Sequence, residues 1–221
     1  FEKRPGDIIE VKVLDNGKIV GMAKSVAGEE ALVTLSDLKL WSPETPYLYD
    51  LQISLLRNGK QLDQVKSYAG MRKISTKRDA NGIVRLQLNN HDYFQFGPLD
   101  QGWWPDGLYT APTDEALLYD IKKTRDFGFN LIRKHVKVEP ARWYYHCDKE
   151  GILVWQDMPS GDNNPQWQQR NYFNGKELER SQESEENYRT EWKTIIDQHI
   201  SNPCIVTWVP FNESWGQFKT P

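Results

Sequence analysis

The sequence predicts two fold classes in one chain, an all-β sandwich followed by a region in which strands and helices alternate. Short runs of alternating apolar and polar residues, separated by turn signals, continue to about residue 74. From about residue 75 helical periodicity appears between the strands. The run 205–209, Ile-Val-Thr-Trp-Val, is almost wholly apolar, as in a parallel strand that is buried on both faces. We therefore expect two domains, 1–74 and 75–221.

Two tight turns organise the first region. Asp-Asn-Gly at 15–17 and Arg-Asn-Gly-Lys at 57–60 are hairpin signals, because asparagine and glycine tolerate the positive φ angles of such turns. Alternating strands flank both turns. The predicted strands cover residues 8–14, 18–23, 31–35, 48–56 and 64–68. This pattern predicts a small all-β sandwich.

The second region opens with a hairpin and continues with helices that have clear start and stop signals. The hairpin is predicted to pair residues 84–88 with 93–96. Thr113 is a candidate N-cap, and Gly128 ends that helix. Pro140 and Gly151 bound a second helix, and apolar residues at helical spacing from 188 to 199 predict a third. The intervening strands are predicted over 130–135, 152–155 and 205–209.

Composition limits the classes of partner. The chain has 28 Lys and Arg against 31 Asp and Glu, a net charge of −3, so we expect no nucleic-acid or anionic-membrane partner. No apolar run approaches the roughly 20 residues of a membrane-spanning helix. The four histidines lack metal-site spacing, and Cys147 and Cys204 suit buried thiols. We predict no metal and no cofactor.

Polar residues appear abruptly after the apolar run 205–209, at Asn212 and Glu213. In parallel α/β folds chemistry is carried beyond the carboxyl ends of the strands, where a rigid sheet holds the side chains. Glu213 is therefore a candidate catalytic acid. A glutamate after a strand is also commonly a solvated surface carboxylate, and position alone does not separate the two interpretations.

The segment 201–208 followed by Asn212-Glu213-Ser214 resembles the acid/base signature of glycoside hydrolase family 2, the family of β-galactosidases, β-glucuronidases and β-mannosidases. The resemblance implies that Glu213 protonates the departing glycosidic oxygen and that Asn212 hydrogen-bonds the sugar 2-hydroxyl. Segments 40–49 and 68–74 resemble the immunoglobulin-like domain that precedes the catalytic barrel in this family. The implied fold is an immunoglobulin-like β-sandwich followed by a partial (β/α)8 TIM barrel.

The second region is too short for a complete barrel. Four strands of βα type are predicted over about 150 residues, whereas a closed eight-stranded barrel takes about 250. We therefore expect a fragment that holds the first half of the catalytic domain. The family's nucleophile, a glutamate near the seventh strand, would lie outside these residues, so the isolated chain is expected to be inactive.

Other strand ends supply groups that suit a saccharide pocket, because carboxylates and amides bind hydroxyls and indoles stack on C–H faces. Arg133 and His135 resemble the Arg and His at the second strand end of the family's barrels. His135 could instead be structural, and Asp157 could anchor its loop or orient Arg133. The candidate substrate-binding residues are Asn212, His135, Arg133, Asp100, Trp104 and Asp157. A long polar loop, 159–182, is predicted to shape a subsite.

The leading functional prediction is a retaining exo-β-glycosidase of β-galactosidase type that acts on a carbohydrate substrate. One alternative is a noncatalytic carbohydrate-binding protein that keeps the pocket without turnover. Another is a scaffold half whose open sheet edges pair with a second copy to form a homo-oligomer.

Overall fold

The computed structural model describes residues 4–160 and 181–214 of the 221-residue chain. The chain divides into two compact units, Phe1–Asp92 and Tyr93–Pro221. Antiparallel sheets form the first unit, and parallel strands alternating with helices form the second. The predicted mixed α and β class is confirmed at this level. Most of the loop predicted over 159–182 lies outside the described residues.

A four-stranded antiparallel sheet is the main element of the first unit. Its strands are β1 (Ile8–Asp15), β2 (Lys18–Val26), β3 (Tyr49–Arg57) and β4 (Lys60–Ala69), in the spatial order β2-β1-β3-β4. The turns between them contain Asn16 and Gly17, with φ of 49° and 80°, and Asn58 and Gly59, with φ of 50° and 75°. These paired positive φ angles match the right-handed twist of the strands, so both predicted hairpins are confirmed.

The aromatic residues of segment 40–49 pack inside the first unit. Trp41 and Tyr49 are fully buried. The Tyr49 hydroxyl accepts a hydrogen bond from the Lys39 backbone N–H at 2.7 Å, which gives its polar end a partner. These side chains stabilise the core.

One predicted strand of the first unit is wrong. Residues 31–35 alternate apolar and polar, but they form no strand. They contact β2 at Gly21, where an added Cβ would lie 2.7 Å from Leu35 Cδ2 and 2.8 Å from Val33 Cγ1. The apolar alternation of residues 31–35 therefore reflects side-chain packing over Gly21, and not hydrogen-bonded pairing with another strand.

A second antiparallel sheet follows in the first unit. It consists of β5 (Ile74–Arg78), β6 (Val84–Leu88) and β7 (His91–Asp92), in that spatial order. The predicted partner strand at 93–96 is wrong, because Asn89 and Asn90, with φ of 54° and 68°, form a tighter turn and pairing resumes at residue 91. This hairpin belongs to the first unit, and the domain boundary after residue 74 stays a prediction.

Within the described residues, the second unit contains four parallel strands and three α-helices. The strands are β8 (Leu99–Asp100), β9 (Leu131–Lys134), β10 (Leu153–Asp157) and β11 (Ile205–Val209), in the order β11-β10-β9-β8. Helices α1 (Asp114–Asp126), α2 (Ala141–Glu150) and α3 (Gln182–His199) connect successive strands. Because all four strands run in the same direction, their carboxyl ends lie along one edge of the sheet.

Helix boundaries in the second unit follow the predicted signals. Thr113 Oγ1 accepts a hydrogen bond from the Ala116 N–H at 3.1 Å, as expected of an N-cap. Gly151 ends α2 in the left-handed conformation with φ of 74°. No helix within residues 4–160 and 181–214 is long and apolar enough to cross a membrane.

A buried carboxylate joins α2 to the start of β11. Asp148 is fully buried, and it accepts hydrogen bonds from Asn202 Nδ2 at 2.7 Å and from the Cys204 N–H at 2.8 Å. Cys147 and Cys204 are buried free thiols, as predicted, and burial raises the pKa of both. These contacts fix where β11 begins, and therefore where it delivers Asn212 and Glu213.

A buried ion pair in the first unit makes its stability depend on pH. Arg57 donates to both oxygens of Asp7, at 2.7 and 2.8 Å, and the Arg4 N–H donates to Asp7 Oδ2 at 2.8 Å. The Arg57 hydrogen bonds, followed by that of Arg4, lower the pKa of Asp7 to about 2. The unfolded chain protonates Asp7 near pH 4. The stabilisation is therefore complete above about pH 4 and is lost as pH falls toward 2.

We predict that Asp7→Asn destabilises the chain at pH 6 and that its difference from the parent shrinks between about pH 4 and 2. Urea unfolding followed by circular dichroism at several pH values measures this difference. Asp63→Asn is the matched control, because Asp63 is exposed in the same unit. An Asp7→Asn effect of equal size at pH 2.5 and pH 6 would contradict the assignment.

Candidate active site

Polar side chains end each parallel strand of the second unit on the same edge of the sheet. Asp100 is the last residue of β8, Arg133 lies near the end of β9, and Asp157 ends β10. Asn212 and Glu213 follow β11 in a short 3-10 turn, Asn212–Ser214. The sheet thus delivers groups from four separate stretches of sequence to one edge, where parallel α/β folds place their ligand sites.

Arg133 joins three of these strand ends. Its Nε and Nη2 atoms donate to the two oxygens of Asp157 at 3.0 and 2.9 Å, a bidentate ion pair. Nη2 also donates to Asn212 Oδ1 at 2.9 Å. Asp157 is fully buried and Asn212 is 8% exposed, so the network is shielded from water on the Asp157 side. With Oδ1 bound to Arg133, the Nδ2 amide is the group of Asn212 that can donate to a ligand.

The turn after β9 is held in a strained conformation by the same carboxylate. Val136 has a φ of 46°, which is rare for a β-branched residue. Its N–H donates to Asp157 Oδ2 at 3.3 Å. Asp157 therefore fixes both the Arg133 side chain and the backbone at Val136. The sequence offered two roles for Asp157, and this contact is the one expected if it orients Arg133.

Glu213 has the second unusual backbone conformation at this edge. Its φ and ψ are 50° and 33°, in the left-handed region, although it is not glycine. Its side chain is exposed, whereas the neighbouring Asn212 is buried. The turn thus separates an amide that is fixed against Arg133 from a carboxyl that is available to solvent. Strained backbone of this kind is concentrated at functional sites.

Two buried lysines near the same edge were not predicted. Lys134 is 1% exposed, and its Nζ donates to Asp100 Oδ2 at 2.5 Å and to Glu139 Oε1 at 2.9 Å. Lys137 Nζ pairs with the same Glu139 oxygen at 2.9 Å. Buried lysines need such partners. The available signal was the dense charge of residues 133–139, which begins within β9 itself.

Lys137 also anchors the loop that follows β8. Its Nζ donates to the carbonyl oxygens of Gly102 at 2.8 Å and Tyr109 at 2.9 Å. Gly102 has a φ of 67°, and a Cβ there would lie 2.4 Å from Glu139 Oε1. The loop can approach the buried charges this closely only because residue 102 is glycine.

The remaining predicted site residues lie apart from the Arg133 network. His135 is half-buried, and its Nδ1 is 3.0 Å from Gln101 Nε2. Asp100 receives Lys134 on one oxygen and the Gly102 N–H on the other, at 2.7 Å. Trp104 is half-buried, and its Nε1 has no hydrogen-bond partner among the described residues. The His135 N–H also donates to the Asp100 carbonyl oxygen at 2.9 Å. Arg133, Asp157 and Asn212 are therefore the predicted residues that the structure joins through side-chain hydrogen bonds.

No metal site accompanies this network in the part of the chain that the structure describes. Groups of three or more His, Cys, Asp or Glu side chains arranged to hold an ion do not occur there. The chemistry available at this edge is that of an exposed carboxyl, a fixed amide and a paired guanidinium. Such groups transfer protons and bind hydroxyls.

Comparison with known proteins finds similarity to one family of glycosidases. Residues 2–72 match the model of glycosyl hydrolases family 2. A β-galactosidase of Lactococcus lactis subsp. lactis is 28% identical over 150 residues, which cover 67% of this chain and 14% of the relative. A putative β-glucuronidase of Formosa agariphila is 26% identical over 184 residues, which cover 80% of this chain and 19% of the relative.

A solved structure extends the similarity over both units. The β-glycosidase from Bacteroides vulgatus aligns with a TM-score of 0.73 at 25% identity, over 94% of this chain and 25% of its own. The chain thus spans about a fifth or less of the curated relatives described above. The resemblance to glycosyl hydrolases family 2, drawn from the residues around Glu213 and from segment 40–49, is confirmed by these similarities.

Proposed function

We propose that the polypeptide carrying these residues is a glycoside hydrolase, a retaining exo-β-glycosidase of β-galactosidase type, with Glu213 as its general acid/base. The observation that supports this most directly is the turn after β11. It presents an exposed carboxyl next to an amide that Arg133 fixes at 2.9 Å. Within this proposal, residues 1–74 form an immunoglobulin-like sandwich and residues 75–221 the first half of a (β/α)8 barrel.

The proposed reaction takes place in two steps. In the first, a nucleophilic carboxylate bonds to the anomeric carbon while the glycosidic C–O bond breaks and the departing oxygen takes the proton of Glu213. In the second, the Glu213 carboxylate takes a proton from water, and that water displaces the enzyme carboxylate from the sugar. The two carboxyl groups of a retaining enzyme lie about 5–5.5 Å apart. We infer that the nucleophile is supplied from outside these 221 residues.

Asn212 and Arg133 would orient the sugar in this reaction. The Asn212 amide is turned with Oδ1 toward Arg133, so Nδ2 can donate to a sugar hydroxyl beside the bond that breaks. Because Asp157 pairs with Arg133 in bidentate geometry, the amide is held before substrate arrives. Such preorganisation places the reacting groups without a reordering cost during catalysis. His135, Asp100 and Trp104 are the further substrate-binding candidates of this proposal.

We predict that Glu213→Gln in the complete polypeptide lowers kcat for aryl β-glycosides by about 10²–10⁴-fold. The loss should be smallest for aglycones that are good leaving groups, because they depart without protonation. Hydrolysis of a panel of aryl β-galactosides, β-glucuronides and β-mannosides measures kcat and identifies the sugar. Glu191→Gln, an exposed glutamate on α3, is the matched control and should leave kcat unchanged.

The leaving-group pattern separates the outcomes. A loss of equal size for all aglycones would show that Glu213 does not act as the acid. A parent polypeptide that binds saccharides and hydrolyses none of the panel would favour the carbohydrate-binding alternative over the hydrolase.

We also predict that Asp157→Ala lowers the free energy of unfolding by about 2 kcal/mol, because it removes the two carboxylate oxygens that accept from a partly buried guanidinium and leaves it only Asn212 Oδ1. Chemical denaturation of the parent and the variant measures the difference. Asp126→Ala is the control, since the exposed pair of Asp126 with Lys123 should contribute less than about 0.5 kcal/mol. Equal effects of the two substitutions would contradict the role of Asp157 as the anchor of Arg133.

A further inference from the structure

We propose that Gln101 holds the imidazole of His135 in the tautomer that carries its proton on Nε2, so that this nitrogen donates a hydrogen bond to a sugar hydroxyl. Gln101 is then a positioning residue, which acts on the substrate through His135. The inference rests on the proposed function, in which His135 is a candidate substrate-binding residue, and it adds the direction of that hydrogen bond.

The position of the proton follows from the chemistry of the two side chains. Gln101 Nε2 lies 3.0 Å from His135 Nδ1. An amide nitrogen donates hydrogen bonds and does not accept them, so Nδ1 is the acceptor and carries no proton. A neutral imidazole with an unprotonated Nδ1 has its proton on Nε2. Because the doubly protonated ring has no acceptor nitrogen, this hydrogen bond also selects the neutral form.

The backbone around Gln101 is fixed on both sides. The Asp100 carboxylate accepts from the Gly102 N–H at 2.7 Å, which closes a turn across Gln101. Lys137 Nζ donates to the Gly102 carbonyl oxygen at 2.8 Å, and Lys134 Nζ donates to the other oxygen of Asp100. The two buried lysines therefore hold the turn from which the Gln101 amide reaches the imidazole.

The backbone around His135 is fixed as well. Its N–H donates to the Asp100 carbonyl oxygen at 2.9 Å, directly after the parallel pairing of β8 with β9. The next N–H along the chain, that of Val136, donates to Asp157 Oδ2 at 3.3 Å. The amide and the imidazole thus project from two anchored stretches of backbone, so their hydrogen bond requires little further ordering of the chain.

The Nε2 atom is the polar group of the His135 ring that remains for a ligand. Within residues 4–160 and 181–214, no side chain or carbonyl accepts a hydrogen bond from it. His135 directly follows β9, at the carboxyl edge where parallel α/β sheets place their ligand sites. In the opposite tautomer Nε2 would carry a lone pair and would accept. Gln101 therefore determines whether this nitrogen donates or accepts.

A fluorinated sugar distinguishes a donor nitrogen from an acceptor nitrogen. A hydroxyl both donates and accepts, so it can bind either tautomer, whereas fluorine bonded to carbon can only accept. Gln101→Glu reverses the direction with little change in side-chain size, because a carboxylate accepts from Nδ1–H and leaves Nε2 of the neutral ring without a proton.

The first test is neutron diffraction from crystals of the complete polypeptide soaked in heavy water at about pH 9, where imidazole rings are neutral. We expect deuterium on Nε2 of His135 and none on Nδ1 in the parent, and the reverse in Gln101→Glu. Deuterium on Nδ1 in the parent, with the Gln101 carbonyl oxygen turned toward it, would overturn the inference. A glutamine that only filled space would not determine the position of this proton.

The second test is affinity for methyl β-D-galactopyranoside and for analogues in which fluorine replaces one hydroxyl at a time. Isothermal titration calorimetry at the same pH measures it in the complete polypeptide, which carries Glu213→Gln to prevent turnover. For the hydroxyl that His135 contacts, we expect Gln101→Glu to weaken binding of the fluorinated analogue about 10-fold more than binding of the unmodified sugar. Because both ligands are neutral, the comparison cancels the effect of the added charge.

Gln198→Glu is the matched control, because Gln198 is exposed on α3 and the substitution adds the same charge. It should leave the relative affinities and the proton on His135 unchanged. Equal losses for every analogue in Gln101→Glu would overturn the contact between Nε2–H and the sugar. If deuterium lies on Nε2 but the parent neither binds nor hydrolyses a glycoside, the proposed function fails and the tautomer assignment stands. If the parent hydrolyses galactosides while deuterium lies on Nδ1, only the inference about Gln101 fails.

Discussion

The Arg133 guanidinium is the interaction on which the candidate site depends. Arg133 lies on β9, and its hydrogen bonds reach Asp157 on β10 and Asn212 beyond β11, so one side chain sets the relative positions of three strand ends. A fully buried carboxylate such as Asp157 is stable only when it is paired and hydrogen-bonded, and Arg133 and the Val136 N–H meet that need. Because the buried charge of Asp157 must be neutralised, the turn at Val136, the Arg133 guanidinium and the Asn212 amide are held in fixed relative positions.

Strand alternation explains why a second polar network lies close to the first without merging with it. Successive side chains of β9 point to opposite faces of the sheet, so Arg133 and Lys134 diverge. Arg133 joins the strand ends, whereas Lys134 reaches the ring of Trp143 on α2 at 4.4 Å and the carboxylate of Glu139. Burial raises the pKa of Tyr144, a residue of α2. Its hydroxyl donates to Gln156 on β10, so this hydrogen bond adds a further polar contact between α2 and the sheet. The strand edge is thus held from both faces.

Local signals predicted most of the fold, and their failures have physical causes. The Asn-Gly turns and the Thr113 and Gly151 caps act through backbone geometry that the residue type alone determines, so they were predicted correctly. Residues 31–35 and 93–96 have the right alternation for strands, but strand pairing depends on partners that a single sequence does not reveal. The contact between Arg133 and Asn212 spans 79 positions of sequence, and only the folded sheet specifies it. Lys134 and Lys137 were missed for the same reason, because buried lysines are recognised by their partners.

The two left-handed residues at this edge, Val136 and Glu213, bear on how the candidate site is built. Each follows a strand, and each costs conformational energy that the surrounding structure must offset. At Val136 two hydrogen bonds offset this conformational energy. Its N–H donates to Asp157, and its carbonyl accepts from the Tyr109 hydroxyl. At Glu213 the neighbouring Asn212 is bound to Arg133, so the chain is fixed immediately before the strained residue. Since both restraints lead back to Asp157, the strained turn after β9 and the strained backbone that presents the candidate acid depend on a single buried carboxylate.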